Sequence, residues 1–192
     1  KSTMQRACRD LLDYSERRMR QGLLALPDAT VEGEDFIDDD GIGDRPIRIK
    51  VKIAIKGDRA VVDLTGCDPQ AEGNTNSTIA NTHAAVYYVM MAVVDPHAPA
   101  NSGCYRPIEV LTKPGTNAHP LPPGAVAART NASQKIAEAM FASLSKIVPD
   151  RVTAGSHGQI TTCGFGGKDP ASGRPFIFTD IQGGGNGARP KQ

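Results

Sequence analysis

From Ser2 to Leu24, apolar residues recur at Met4, Cys8, Leu11, Leu12, Met19 and Leu23 in steps of three and four, with Arg6, Asp13 and Arg17 on the other side. That spacing predicts an amphipathic helix stopped by Pro27. Residues 31–36 read as a short extended stretch, and the acidic run Asp38-Asp39-Asp40-Gly41-Ile42-Gly43-Asp44 follows as a loop. Ile47, Ile49, Val51, Ile53 and Ile55 then alternate with Arg48, Lys50, Lys52 and Ala54, the period-two signature of a strand with one wet face. Lys56-Gly57-Asp58-Arg59 turns the chain and residues 60–64 return, which makes a β-hairpin.

Residues 66–78 are turn-rich and polar but nearly uncharged. A helix over 78–94 is apolar on most of its surface, at Ile79, Ala85, Val86, Val89, Met90 and Val93, and is therefore expected to be buried. A strand is expected at 108–112, a proline-rich connection at 114–123 and an extended piece at 125–128. Asn131 and Gln134 have the spacing of a capping box ahead of a helix over 133–148, with Ile136, Met140, Leu144 and Ile147 on one stripe and Pro149 as its stop. Two more extended segments, 160–165 and 175–181, flank a turn at 166–170. The pattern predicts a mixed α+β fold: a β-hairpin and further strands packed with three helices, with no internal domain boundary.

Composition sharpens this. The 192 residues include 20 glycines and 14 prolines, above the roughly 12 % that average usage gives the two together, yet 39 % are hydrophobic, so the chain is loop-rich and folded. A net charge of +1 gives no support to a polyanion partner, and 5 % aromatic content argues against base-stacking platforms, so nucleic acid is not an expected ligand. Charge is uneven: 25 of 43 charged side chains lie in residues 1–65 and only 7 in residues 66–129, which also hold 8 of the 14 prolines. That middle third is expected to be covered, facing a partner or a ligand. The longest apolar run, 84–94, falls short of the ~20 residues a bilayer span needs. Cys8, Cys67, Cys104 and Cys163 are spaced 59, 37 and 59 apart without a C-x-x-C pair, as reduced cytoplasmic thiols would be. The start without Met, directly in a helical pattern, and the finish without a closing element suggest a segment of a longer polypeptide.

Most recognisable motifs fail on spacing. With Gly41 as the invariant glycine, a calcium loop would need ligands at Phe36 and Ile47, so an EF-hand is excluded. Gly166-Gly167-Lys168-Asp169 lacks the upstream glycine of a phosphate loop, because position 162 is Thr. Gly183-x-Gly185-x-x-Ala188 matches a dinucleotide fingerprint, but Arg189-Pro190 stands where its helix would open. The four histidines have no metal-ligand spacing, and Gly155-Ser156-His157-Gly158 is not a nucleophile elbow. Cys67 and Cys104 sit in polar turns, either as reactive thiols or as small buried hydrophobes. What remains is a set of polar groups in glycine-rich turns: Asp68, Asn74, Asn76, Asn101 and His157, with the backbone of Gly183, Gly184, Gly185 and Asn186. Such groups line a small polar ligand or an interface, or else bond their own backbone as Asx turns.

The run Tyr14-Ser15-Glu16-Arg17-Arg18-Met19-Arg20, then Gly33-Glu34-Asp35-Phe36, Asp38-Asp39-Asp40-Gly41, Gly57-Asp58-Arg59, Asp63-Leu64-Thr65-Gly66-Cys67-Asp68-Pro69-Gln70, Pro99-Ala100-Asn101-Ser102-Gly103-Cys104 and the glycine-rich end from Gly183 resemble, in this order, the hydantoinase B family. That family includes the matching half of ATP-dependent oxoprolinase and the acetone and acetophenone carboxylases. The resemblance implies part of the later half of a B-type subunit within a larger hydantoinase B-type fold. It implies a hetero-oligomer in which a hydantoinase A-type partner binds ATP and activates a small cyclic amide or ketone for hydrolysis or carboxylation. The segment alone would be inactive. A divalent metal in the full subunit fits the resemblance, but no metal motif is evident in these residues and no catalytic residue is carried over. Two alternatives stay open: a ketone carboxylase subunit, and a non-catalytic scaffold that docks the partner.

Overall fold

The period-two segment forms strand β2 (Ile47–Lys56), whose Ile49, Val51 and Ile53 are fully buried while Lys52 and Lys56 face water. The computed structural model describes residues 2–189. β2 pairs antiparallel from Ile47 to Ile55 with the whole of β1 (Ala29–Ile37) and, through a turn at Gly57 with φ of 58°, with β3 (Arg59–Asp63). β3 then pairs in parallel with β4 (Ile108–Leu111), giving the sheet order β1-β2-β3-β4. A parallel pair needs a crossover, and helix α2 (Ile79–Val94) provides it.

Helix α3 (Arg129–Leu144) lies across β1 and β2, and α2 packs on α3. One core joins them: Ile49, Ile53 and Val62 of the sheet, Val86 and Met90 of α2, Ile136 and Met140 of α3. Each such side chain contributes about 1.5–3 kcal/mol by leaving water. Close approach of α3 to β1 requires Gly33, because a β-carbon there would collide with the Ser143 hydroxyl and stand 2.8 Å from the Ala139 carbonyl. Helix α1 (Ser2–Leu24) buries only Ser15, Met19 and Leu23. It is tied down by polar contacts, chiefly a two-pronged pairing of Arg18 with Asp95 at 2.7 and 2.8 Å at the end of α2.

Two expectations need correction. The helix of 133–148 begins four residues earlier, at Arg129, with Ala128 before it and no side-chain cap, so Asn131 and Gln134 lie inside the helix and form no capping box. It ends at Leu144 because Pro149 forces Val148 out of the helical region, to φ −138° and ψ 60°, and the intervening turn tightens. Residues 125–128 are not extended. The Asn76 side chain donates to the Ala125 carbonyl at 2.9 Å in place of a strand neighbour.

The charge-poor middle third is covered in part by the chain itself, while Ile79, Tyr88, Leu111 and Leu121 stay exposed. Thr75, Asn76, Ser77, Thr82, Thr116 and Asn117 are all buried, and the side chains of Asn76, Thr82 and Thr116 act as hydrogen-bonding groups where charges are absent. Beyond α3, β5 (Ile160–Lys168) and β6 (Pro175–Gly183) form a separate two-stranded antiparallel sheet. Its Phe165, Phe178, Ile177 and Ile181 stand in solvent, Ile177 at 87 % exposure. Pro190, which argues against a dinucleotide helix, lies outside the described residues.

Truncating Ile53 to Ala is expected to cost about 2–5 kcal/mol in urea unfolding, as cavity-forming core changes do. Ile177→Ala, on the exposed hairpin, is expected to shift stability by less than about 0.5 kcal/mol.

Candidate functional site

The polar residues singled out in the sequence fall into four places. Asp68 and Asn76 belong to a knot under the sheet edge. The Asp68 carboxylate accepts the Arg48 backbone N–H at 3.0 Å and lies 3.7 Å from the Arg48 guanidinium. Asn76 is fully buried: its Oδ1 accepts the Ala71 N–H at 2.7 Å, and its Nδ2 donates to the carbonyls of Ala71, Gly73 and Ala125. Asn101 is committed in the same way, donating to Ser15 Oγ at 2.7 Å and to the Pro99 carbonyl at 2.9 Å while accepting the Gly103 N–H. These amides hold loops in place and tie one of them to α1.

Asn74 is exposed and lines a cavity of about 290 Å³ with Asp38, Asp39, Asp40, Thr75 and Gln159. The Asp40 carboxylate is already spent here. It accepts backbone N–H groups from Gly43 at 2.9 Å, Gly73 at 2.8 Å and Ile42 at 3.0 Å, and those bonds hold its pKa down to about 2. The acidic loop is thus a turn braced by its own aspartate.

His157, Gly183, Gly184, Gly185 and Asn186 come together along a second, larger cavity of about 620 Å³. One wall is the loop 153–158 clasped to 185–188, where the Ala154 N–H donates to the Ala188 carbonyl at 2.9 Å and the His157 N–H donates to the Gly185 carbonyl at 3.0 Å. The clasp needs glycine at two points, since a β-carbon at Gly184 would run into His157 and one at Gly187 into the Ala154 carbonyl. The opposite wall is helical: Gln134, Glu138 and Phe141 lie at i, i+4 and i+7 on one stripe of α3, with Tyr88 of α2 edge-on to Phe141 at 6.2 Å. Glu138 accepts from both the backbone N–H and the hydroxyl of Ser156, which fastens the loop wall to the helix. Gln134 Oε1 is buried and has no hydrogen-bond partner.

The cavity therefore brings five of the nine singled-out residues together and leaves Asp68, Asn74, Asn76 and Asn101 elsewhere. Sequence reasoning misses its helical wall. The signal is a second stripe on α3 beside the buried Ile136 and Met140, masked because the spacing of Gln134 imitates a capping box.

No phosphate cradle forms at Gly166-Gly167-Lys168: these residues run inside β5, paired with Ile177, Phe176 and Pro175. The described residues do not fit a nucleotide at that motif. Among them, no group of three or more His, Cys, Asp or Glu side chains is placed to hold a metal ion. Cys67 and Cys104 are buried, with Sγ donating to the carbonyls of Lys50 and Pro99, and burial pushes the Cys67 thiol up to about 11.

Against this geometry, comparison with known proteins is specific. The profile of the family described as Hydantoinase B/oxoprolinase matches residues 1–192. A protein from Pseudomonas sp. (strain NS671), named as the B-type component of a D-/L-hydantoinase, is 31 % identical over 97 % of this chain and 33 % of its own length. The crystal structure of an ATP-dependent caprolactamase from Pseudomonas jessenii superposes with a TM-score of 0.78 at 29 % identity, over 90 % of this chain and 30 % of that one. Acetone carboxylase in its nucleotide-free form shares the fold, with a TM-score of 0.71 at 18 % identity over 92 % of this chain and 26 % of that one. The chain thus spans about a third of the length of the curated hydantoinase component it matches.

Gly184→Ala and Gly187→Ala are expected to open the clasp and speed limited proteolysis across 153–189. Gly185→Ala, whose β-carbon meets nothing within 4 Å, is expected to leave it unchanged. Asp40 titrates lower in the folded chain than its ordinary 3.8, so its contribution to stability is complete above pH 4 and lost as pH falls toward 2. Asp40→Asn is expected to flatten the fall in thermal midpoint over that window.

Proposed function

The chain belongs to the hydantoinase B/oxoprolinase family, and from that premise we propose that it is part of the B-type subunit of a cytoplasmic, ATP-dependent cyclic-amide hydrolase. One observation supports this above all: the family match covers the whole chain, and relatives near 30 % identity are named for opening hydantoin and caprolactam rings. In this reading the subunit works in a hetero-oligomer with an ATP-binding partner of hydantoinase A type, and the nucleotide sits on that partner. The geometry of Gly166, Gly167 and Lys168 inside β5 supports that division.

The exposed apolar hairpin supports a larger assembly. Phe165, Phe176, Ile177, Phe178 and Ile181 are all exposed on one two-stranded sheet, a surface that soluble proteins ordinarily cover. Within the segment, the cavity lined by His157, Gly183, Gly184, Gly185 and Asn186 is the proposed ligand-facing region. Asp68, Asn74, Asn76 and Asn101 are proposed as its outlying support, shaping loops and subunit contacts. The described residues include no helix long and apolar enough to cross a membrane. The unpaired cysteines accord with a reducing compartment.

The test is turnover by the full-length subunit co-expressed with its A-type partner. Ring opening of a hydantoin or lactam that requires both subunits and releases ADP is the expected result. Bicarbonate-dependent consumption of a ketone, with no ring opening, would instead assign the complex to carboxylation.

A further inference from the structure

The cavity between α3 and the glycine loop has an uncommitted group on its wall. Gln134 lines it, and Gln134 Oε1 is buried without a hydrogen-bond partner; Arg48 Nε, Thr75 Oγ1 and Asn117 Oδ1 are also buried and unpartnered, but of these four groups Gln134 is the one that lines this cavity. A buried acceptor left unpaired is destabilising, a deficit that a bound donor removes. The torsion that orients a glutamine carboxamide is soft and broad, so the group can turn its edge toward the cavity without leaving its rotamer. That edge carries a carbonyl and an N–H side by side.

We propose that Gln134 reads the cis-amide edge of a ring. In a small cyclic amide the ring holds N–H and C=O on the same side, so both meet the glutamine edge in a two-point pair. An open-chain secondary amide is trans and presents the two on opposite sides. The surroundings suit such a ligand. Tyr88 and Phe141 provide an apolar aromatic wall for ring carbons, and about 620 Å³ lies within the range of small-molecule sites. Glycine at 185 keeps the facing backbone bare, with open space where a β-carbon would stand. Glu138 is held by Ser156 and acts as a brace for the cavity, which leaves Gln134 as the free carboxamide on its helical wall. This assignment rests on the cyclic-amide reading above and adds a recognition residue and a selection rule to it.

The experiment is calorimetric binding, without ATP, of hydantoin, 2-pyrrolidinone and ε-caprolactam to the full-length subunit, alongside their fully N-methylated forms, which for hydantoin is the 1,3-dimethyl compound. Wild-type protein is expected to bind at least one ring amide and to bind its N-methyl form at least tenfold more weakly. Gln134→Leu is expected to weaken the parent ring amide at least tenfold and to leave the N-methyl form unchanged. Gly185→Val, which fills the facing wall without touching Gln134, is expected to weaken both, and thermal unfolding of each variant checks that it is folded. Equal binding by wild type and Gln134→Leu, equal binding of parent and N-methyl amides, or binding of none of the three rings overturns the proposal. Gln134-dependent binding of a ketone, which has no N–H, overturns the cis-amide assignment. The two readings fail separately. ATP-dependent ring opening with an unchanged KM in Gln134→Leu defeats the recognition role alone. Gln134-dependent ring binding in a complex that never opens the ring defeats the hydrolase reading alone.

Discussion

The packing of α3 flat against β1 and β2 is the constraint from which the rest of this structure follows. It is made by Ile136 and Met140 against Ile49, Val51 and Ile53, and it is possible at that distance only because position 33 is glycine. A helix so fixed has one stripe in the core and the next stripe free to form something else. Here the next stripe carries Gln134, Glu138 and Phe141, so the rotation that buries Met140 also sets the wall of the larger cavity. The core and the candidate site are two faces of one element.

The second requirement is that the loop wall stay beside the helix. Backbone pairing of 154–157 with 185–188 forms that wall, Glu138 fastens it through Ser156, and glycines at 184 and 187 let the strands of the clasp touch. The clasp also anchors the base of the β5–β6 hairpin, whose apolar side chains remain in solvent. A chain that spans about a third of its curated relative, with an unusually bare hairpin at one end of its cavity, fits the proposed larger assembly in which that surface is covered.

Elements governed by local periodicity are readable from the residues alone. β2 announces itself by five alternating branched side chains, its hairpin by Gly57, and α2 by its apolar surface with Thr78 accepting the Asn81 N–H as cap. The start of α3 is not readable, because Asn131 and Gln134 have the spacing of a cap and only the surrounding loops, which place Ala128 against the Asn74 carbonyl, show where the helix begins. The polar turns pose the same difficulty in another form. An asparagine that organises a loop and one that meets a ligand look alike in sequence, and only contacts distant in the chain, such as Asn101 to Ser15, distinguish them. The cavity joins residues from 88 to 189, and no local pattern encodes that meeting.

The most direct measurement is a crystal structure of the full-length subunit soaked with a ring amide that it binds. The account predicts the ring between Gln134 and the loop of Gly183 to Asn186, its N–H and C=O both within hydrogen-bond distance of the Gln134 carboxamide. A ring bound elsewhere in the protein, with this cavity holding only water, would contradict it.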